Sequence, residues 1–238
     1  MLTTEPARLD ASGVVLTNEI AERYRTDKGR SRHRYTNFYG SMLGDHRDRM
    51  LNVTEAGVRS GASIRLWLDL FPKAHVWGLD VSWKEYRDHV NHLRNHDPRL
   101  HLATCCRNQL DVDGARLVPN SMDLVIEDAG NHDLALQTLL FPLLWPLVRL
   151  GGYYVIEDVD DQRGGLQFTQ NHSGLHPTIQ RILENNYAFM VDSTPGMTES
   201  QWKMWQEAGQ RRPVGGLHWV HSRSVHNSHL LVIRRVQR

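Results

Sequence analysis

Two stretches of this chain end in the same residues. Val-Ile is followed by Glu127-Asp128 in one and by Glu157-Asp158 in the other. Both stretches are apolar and rich in β-branched residues, the pattern of a buried strand. Carboxylates at the ends of neighbouring strands converge, because adjacent strands lie only about 4.8 Å apart. Clustered acids repel and raise one another's pKa. A hard divalent cation relieves that repulsion, and an all-oxygen donor set suits Mg2+. Asp160 and Asp161 add acid nearby. The competing reading is that some of these acids face solvent as helix N-caps. His132 follows Asp128 at the start of a helical stretch. A histidine there could act as a general base, or hydrogen-bond locally in the first helical turn.

A second group lies earlier. The run Glu55-Ala-Gly57-Val-Arg-Ser-Gly61 follows a strand and precedes a helix, and Gly78-Leu79-Asp80 ends the next strand. Glycines at a strand-to-helix turn let backbone approach a ligand, and an acid at the second strand end can accept hydrogen bonds from a ribose diol. Glycine turns in α/β proteins can also be no more than tight connections. The dinucleotide fingerprint G-x-G-x-x-G is missing, because Arg59 stands where the middle glycine would be. A nucleoside-sized ligand without a pyrophosphate suits the loop better, and S-adenosylmethionine is the leading candidate. Glu55 could orient the loop backbone or meet the cationic amino-acid part of such a ligand.

The elements that must position these groups alternate. LNVTEA, HVWGLDV, LHLAT, MDLVIE and GGYYVIE read as strands. Ser63 to Phe71, Trp83 to Arg94 and His132 to Leu140 read as helices, the last closed by Pro142 and Pro146. Such alternation predicts a parallel sheet covered on both faces. Residues 1–50 are polar and Arg-rich, a helical cap or oligomer arm. Residues 51–238 form the cofactor-binding domain, with a lid-like region at about 162–216 around a helix from Thr178 to Asn186. The tail GLHWVHSRSVHNSHLLVIRRV reads as two strands joined by a turn near Val225 to Ser228, a hairpin closing the sheet. Arg23, Arg25, Arg30, Arg32 and Arg34 with Lys28 form a basic run that reads as a solvated face.

Composition narrows the classes. The chain has 238 residues, 40% hydrophobic and 23% charged, which is ordinary for a globular protein. Lys and Arg number 28 against 27 acids, so no polybasic surface is forced; neither nucleic acid nor an anionic membrane is the expected partner. No apolar run is long enough to span a bilayer, and a soluble cytoplasmic protein is expected. Cys105 and Cys106 are adjacent, so no disulfide framework is expected.

Beyond this chemistry, the chain resembles class I S-adenosylmethionine-dependent methyltransferases. More narrowly it is similar to the metal-dependent sugar O-methyltransferases of macrolide biosynthesis, the macrocin and mycinamicin type, and to cephalosporin hydroxylase-like proteins. The resemblance runs from Thr26 to about Asp161. It is carried by TDKGRSRHRYTNFYGSML, TEAGVRSGASIRLWLDLFPKAHVWGLDVS, DLVIEDAGNH and LFPLLWPLVRLGGYYVIEDV. The family's D-D-G-S-H reads here as EDAGNH, one residue longer, so either Glu127 or Asp128 could be the matching acid.

The resemblance implies an α/β, doubly wound, mostly parallel seven-stranded sheet with an antiparallel C-terminal strand. It implies cofactor contacts at Tyr35, Glu55, Gly57, Gly61, Ser63, Asp80 and Asp128. Asn108 and Gln109 stand where the family has an Asp-Gln pair beside the adenine. Metal ligands would be Asp128, Glu157 and Asp158, and His132, with Asp128, would be catalytic. The implied activity is an S-adenosylmethionine- and Mg2+-dependent O-methyltransferase acting on a hydroxyl of a sugar or natural product. The resemblance also leaves room for a non-catalytic or hydroxylase-associated cofactor-binding protein of the same fold. Trp202 and Trp205 could stack on an acceptor or simply pack on the core. His218, His221, His226 and His229 read as surface residues of the tail.

Overall fold

The computed structural model describes residues 11–85, 96–106, 109–110, 117–129, 134–159, 181–183, 185–192, 218–220 and 229–236. The described residues begin with two helices, α1 (Ala11–Tyr24) and α2 (Tyr35–Leu43). It then alternates: β1 (Asn52–Ala56), α3 (Ala62–Leu70), β2 (His75–Asp80), β3 (Leu100–Cys106), β4 (Gln109–Leu110), β5 (Met122–Glu127), α4 (Leu134–Leu144) and β6 (Val148–Ile156). β7 (Tyr187–Asp192), β8 (His218–Val220) and β9 (His229–Arg234) complete the sheet.

The strand order is β4-β3-β2-β1-β5-β6-β9-β7-β8. β3, β2, β1, β5 and β6 run parallel, and β9 lies antiparallel between β6 and β7. These with β7 are the seven strands of the expected sheet; the short β4 and β8 extend its two edges. Apolar side chains on both faces of every central strand explain the continuous hydrophobic runs. One core joins α1, α2 and α3 to Val53, Leu124, Ile126, Tyr153 and Val155. The other joins Leu140, Phe141 and Leu144 of α4 to Val125, Tyr154, Ile156 and Leu231.

Local chemistry sets the boundaries that matter for the site. α3 starts from Gly61 in the left-handed region and buries Ile64, Trp67 and Leu68. It stops at Phe71, which leaves helical geometry one residue before Pro72, as a residue preceding proline tends to do.

Two expectations change. Pro142 does not close its helix; α4 passes through it to Leu144, and a 3-10 turn carrying Pro146 follows. Buried Phe141 and Leu144 hold the helix together across the lost hydrogen bond. The tail does not form a hairpin. β7 pairs with β9 over six residues and takes the edge that β8 would need, so β8 falls on the far side of β7, parallel to it. The lid-like region 162–216 contains β7, a strand of the sheet with Ala188 buried in the core; the rest of that region and the helix from Trp83 to Arg94 fall largely outside the described residues.

Candidate active site

The carboxyl ends of β1, β2, β5 and β6 open into a cleft of about 1210 Å3. Gly57, Ser63, Asp80, Asp128, Glu157 and Asp158 all line it. This is the edge of an open α/β sheet at which ligands bind.

The loop after β1 is held by backbone. Gly57 has φ +95, and a Cβ there would sit 2.1 Å from the carbonyl oxygen of Asp128. Only glycine fits between these strand ends. The Asp80 carboxylate accepts the backbone N–H groups of Val58 and Arg59 on one oxygen, each at 2.8 Å, and that of Ser82 on the other at 3.0 Å. Asp80 therefore shapes the loop as well as facing the cleft. Arg59, inside the loop, takes a left-handed backbone with φ 49, and its side chain pairs with Glu85 in the open. The Ser63 hydroxyl donates to Glu55 at 2.7 Å.

The acids at the other strand ends are sorted by register. Glu127 of β5 pairs with Ile156 of β6, one residue short of Glu157. The two Glu-Asp dipeptides are thus offset by one, and a one-residue offset reverses the face a side chain occupies. Asp128 lies on the cleft beside Glu157. Glu127 is fully buried on the other face, where it accepts the Tyr154 hydroxyl at 2.6 Å. Burial pushes the Glu127 carboxyl up to about 8, against the pull of that hydrogen bond. The register thus puts Asp128, and not Glu127, on the cleft wall.

A lysine sits among these carboxylates. The Lys28 ammonium lies 2.5 Å from Glu157, 2.6 Å from Asp128 and 3.3 Å from Glu55. Its side chain is 1% exposed, as is that of Glu157; Glu55 is 0% and Asp128 25% exposed. Burial opposes its charge, but the three acids outweigh burial and hold it well above the usual lysine range. Tyr39 donates to the other Glu157 oxygen at 2.6 Å, and Tyr35 donates to Asp158 at 2.5 Å while accepting the Asp158 N–H. Burial raises Glu55 to about 7, with Lys28 and Ser63 opposing and Asp128 reinforcing. Asp128 is raised by burial, with Lys28 opposing and the Asp158 charge reinforcing.

The sequence places Lys28 in a run that reads as a solvated basic face. The structure buries it instead, while Arg25 and Arg32 of the same run are exposed at the cleft. Its signal was the acids themselves: a set of buried strand-end carboxylates requires a counter-ion. Tyr35 and Glu55 stand behind the cleft wall, and Gly61 caps α3. His132, Asn108, Trp202 and Trp205 lie outside the described residues, as do the side chains of Gln109, His218 and His229. Cys105 and Cys106 end β3, next to the short β4.

A divalent cation is compatible with part of this arrangement. Among the described residues no group of three or more His, Cys, Asp or Glu is arranged to hold a metal. Asp128 and Asp158, however, both line the cleft, and only one oxygen of Asp128 is engaged by Lys28. A pair of carboxylates fits Mg2+, which keeps several waters and takes other oxygens from a substrate. Glu157 is the exception, because Lys28 and Tyr39 take its two oxygens.

The sheet order and the cleft at its carboxyl edge define the fold of the class I S-adenosylmethionine-dependent methyltransferases. MycE, a methyltransferase of the mycinamycin biosynthetic pathway solved with Mg and SAH, shares this fold. It aligns with a TM-score of 0.51 and 23% identity over 93% of this chain and 49% of that one. The sequence is similar to the mycinamicin VI 2''-O-methyltransferase of Micromonospora griseorubida, at 33% identity over 60% of this chain and 35% of that protein. It is also similar to the 8-demethyl-8-alpha-L-rhamnosyl tetracenomycin-C 2'-O-methyltransferase of Streptomyces olivaceus, at 32% identity over 59% of this chain and 36% of that protein. The chain spans about a third of the length of these curated relatives. No family model matches it. No helix among the described residues is long and apolar enough to cross a membrane.

Proposed function

We propose that this chain is an S-adenosylmethionine-dependent O-methyltransferase that methylates a sugar hydroxyl on a natural product, with Mg2+ as a second cofactor. The observation that carries the reading is the convergence of Gly57 and Asp80 with Asp128 and Asp158 on one cleft. The similarity to sugar O-methyltransferases supports the reaction and the class of acceptor.

When bound, S-adenosylmethionine supplies an electrophilic methyl group on a sulfonium, and Mg2+ lowers the pKa of a hydroxyl it coordinates. The chain's own groups bind and orient. Gly57 lets the loop pass against the end of β5, which sets the loop that faces the ligand, and Asp80 has acceptor capacity left for a ribose diol. The acidic floor favours a cationic ligand over a neutral one. Asp128 and Asp158 would hold Mg2+ at the edge, with Glu157 behind them. His132 takes the proton from the acceptor hydroxyl, a role whose removal typically costs about 10²–10⁴-fold in rate. Correct placement of the two reactants supplies much of the remaining acceleration.

The test is transfer of a labelled methyl group from S-adenosylmethionine to a panel of glycosylated polyketides carrying free sugar hydroxyls. Transfer that stops with EDTA and returns with Mg2+ is expected. Cofactor binding without transfer to any hydroxyl would overturn the reading.

A further inference from the structure

Glu55 is the penultimate residue of β1, Asp128 follows β5 and Glu157 follows β6, so three neighbouring strands deliver three carboxylates to one point. What occupies that point is the Lys28 ammonium. The ammonium donates to Asp128 and Glu157 and faces the Glu55 carboxylate as an ion pair at 3.3 Å. Its partners lie 100 and 129 residues away in the chain, so it reaches them only because the turn between α1 and α2 docks on the sheet edge. Tyr39, on α2, takes the remaining oxygen of Glu157.

We propose that Lys28 is a built-in cation: its ammonium fills a three-carboxylate position that would otherwise take a divalent ion, and it thereby positions Asp128 at the cleft. A buried cluster of acids needs a positive charge to remain folded. A free ion would meet that need only while bound. Tethering the charge to the chain makes this half of the site permanent and leaves Asp128 with a second oxygen for the cleft. Lys28 is therefore a positioning residue, and removing it exchanges a tethered cation for an exchangeable one.

Mn2+ is the probe. Its binding is titrated against the whole chain by electron paramagnetic resonance of the free ion, with thermal unfolding followed in parallel. The unaltered protein, Lys28→Ala, and Lys28→Ala combined with Glu157→Gln are compared. Lys28→Ala is expected to bind one more Mn2+ per chain than the unaltered protein. Its unfolding temperature should be low in EDTA and rise with Mn2+ concentration. The added Glu157→Gln should abolish the extra ion. An equal Mn2+ count in Lys28→Ala and the unaltered protein would overturn the proposal. A charge-balanced control, Lys28→Met with Glu157→Gln, guards against simple loss of folding. If it folds while Lys28→Ala folds in neither EDTA nor Mn2+, a divalent ion cannot replace the ammonium and the proposal falls. The Mn2+ count of the unaltered protein separately tests the Mg2+ site of the proposed function, because that count does not depend on the gain in the variant.

Discussion

The two halves of the cleft are built on opposite principles. The half formed by residues 57–63 and Asp80 is held by backbone: a left-handed glycine, amide groups on one carboxylate, and an exposed arginine pair outside. The half formed by Asp128, Glu157 and Asp158 is held by buried side chains from the N-terminal segment: Lys28 in the turn between α1 and α2, and Tyr35 and Tyr39 on α2. The first half can adapt to a ligand because its contacts are local and partly exposed. The second is fixed by charges that cannot separate without leaving an acid unpaired in a poorly polarisable interior.

The largest effect should come from breaking the second half. Lys28→Ala leaves Glu55 and Glu157 buried without their cation, and breaking such a pair costs about 3–5 kcal/mol. Urea unfolding in EDTA checks this, and a loss below about 1 kcal/mol would place the ammonium outside the network. Gly57→Ala attacks the first half. Its methyl group would meet the Asp128 carbonyl, and overpacking with positive φ costs about 1–3 kcal/mol. Here the loss of cofactor binding by calorimetry should exceed what the change in stability accounts for.

Acidity sharpens the comparison. The Glu127 carboxyl, held at about 8, keeps its proton in the folded chain and loses it near 4.5 in the unfolded one. The folded state then binds more protons between these values, so stability falls as pH rises from about 4.5 to 8. Glu55, raised to about 7, adds the same sign up to that pH. Glu127→Gln should flatten the upper part of the slope, measured by denaturant midpoints from pH 5 to pH 9. The smallest effect belongs to the exposed pair on the loop. Arg59→Asn, which removes the pair while tolerating the left-handed backbone, should change stability by no more than about 0.5 kcal/mol.

The same contrast explains what could be read from the chain alone. Gly57 and Asp80 were legible because a strand, a turn and the next strand end fall within one short βαβ stretch of fixed geometry. Asp128 and Asp158 were legible as acids at strand ends, but the one-residue offset that separates Asp128 from Glu127 is a property of the β5 and β6 pairing. Lys28 looked like one member of an arginine-rich surface because nothing local distinguishes it from Arg25 or Arg32. Its role appears only when α1 and α2 dock against the sheet and share its core. The tail misled for a related reason: two nearby strands suggest a hairpin, yet the edge beside β9 was already taken by β7.

The most direct test of the account is a calorimetric titration of S-adenosylmethionine into the unaltered protein and into Asp80→Ala. Saturable binding to the unaltered protein and its loss in the variant are expected, with the circular dichroism of the two proteins unchanged. Absence of binding to the unaltered protein, or equal binding to both, would contradict a cofactor seated on the Gly57 loop.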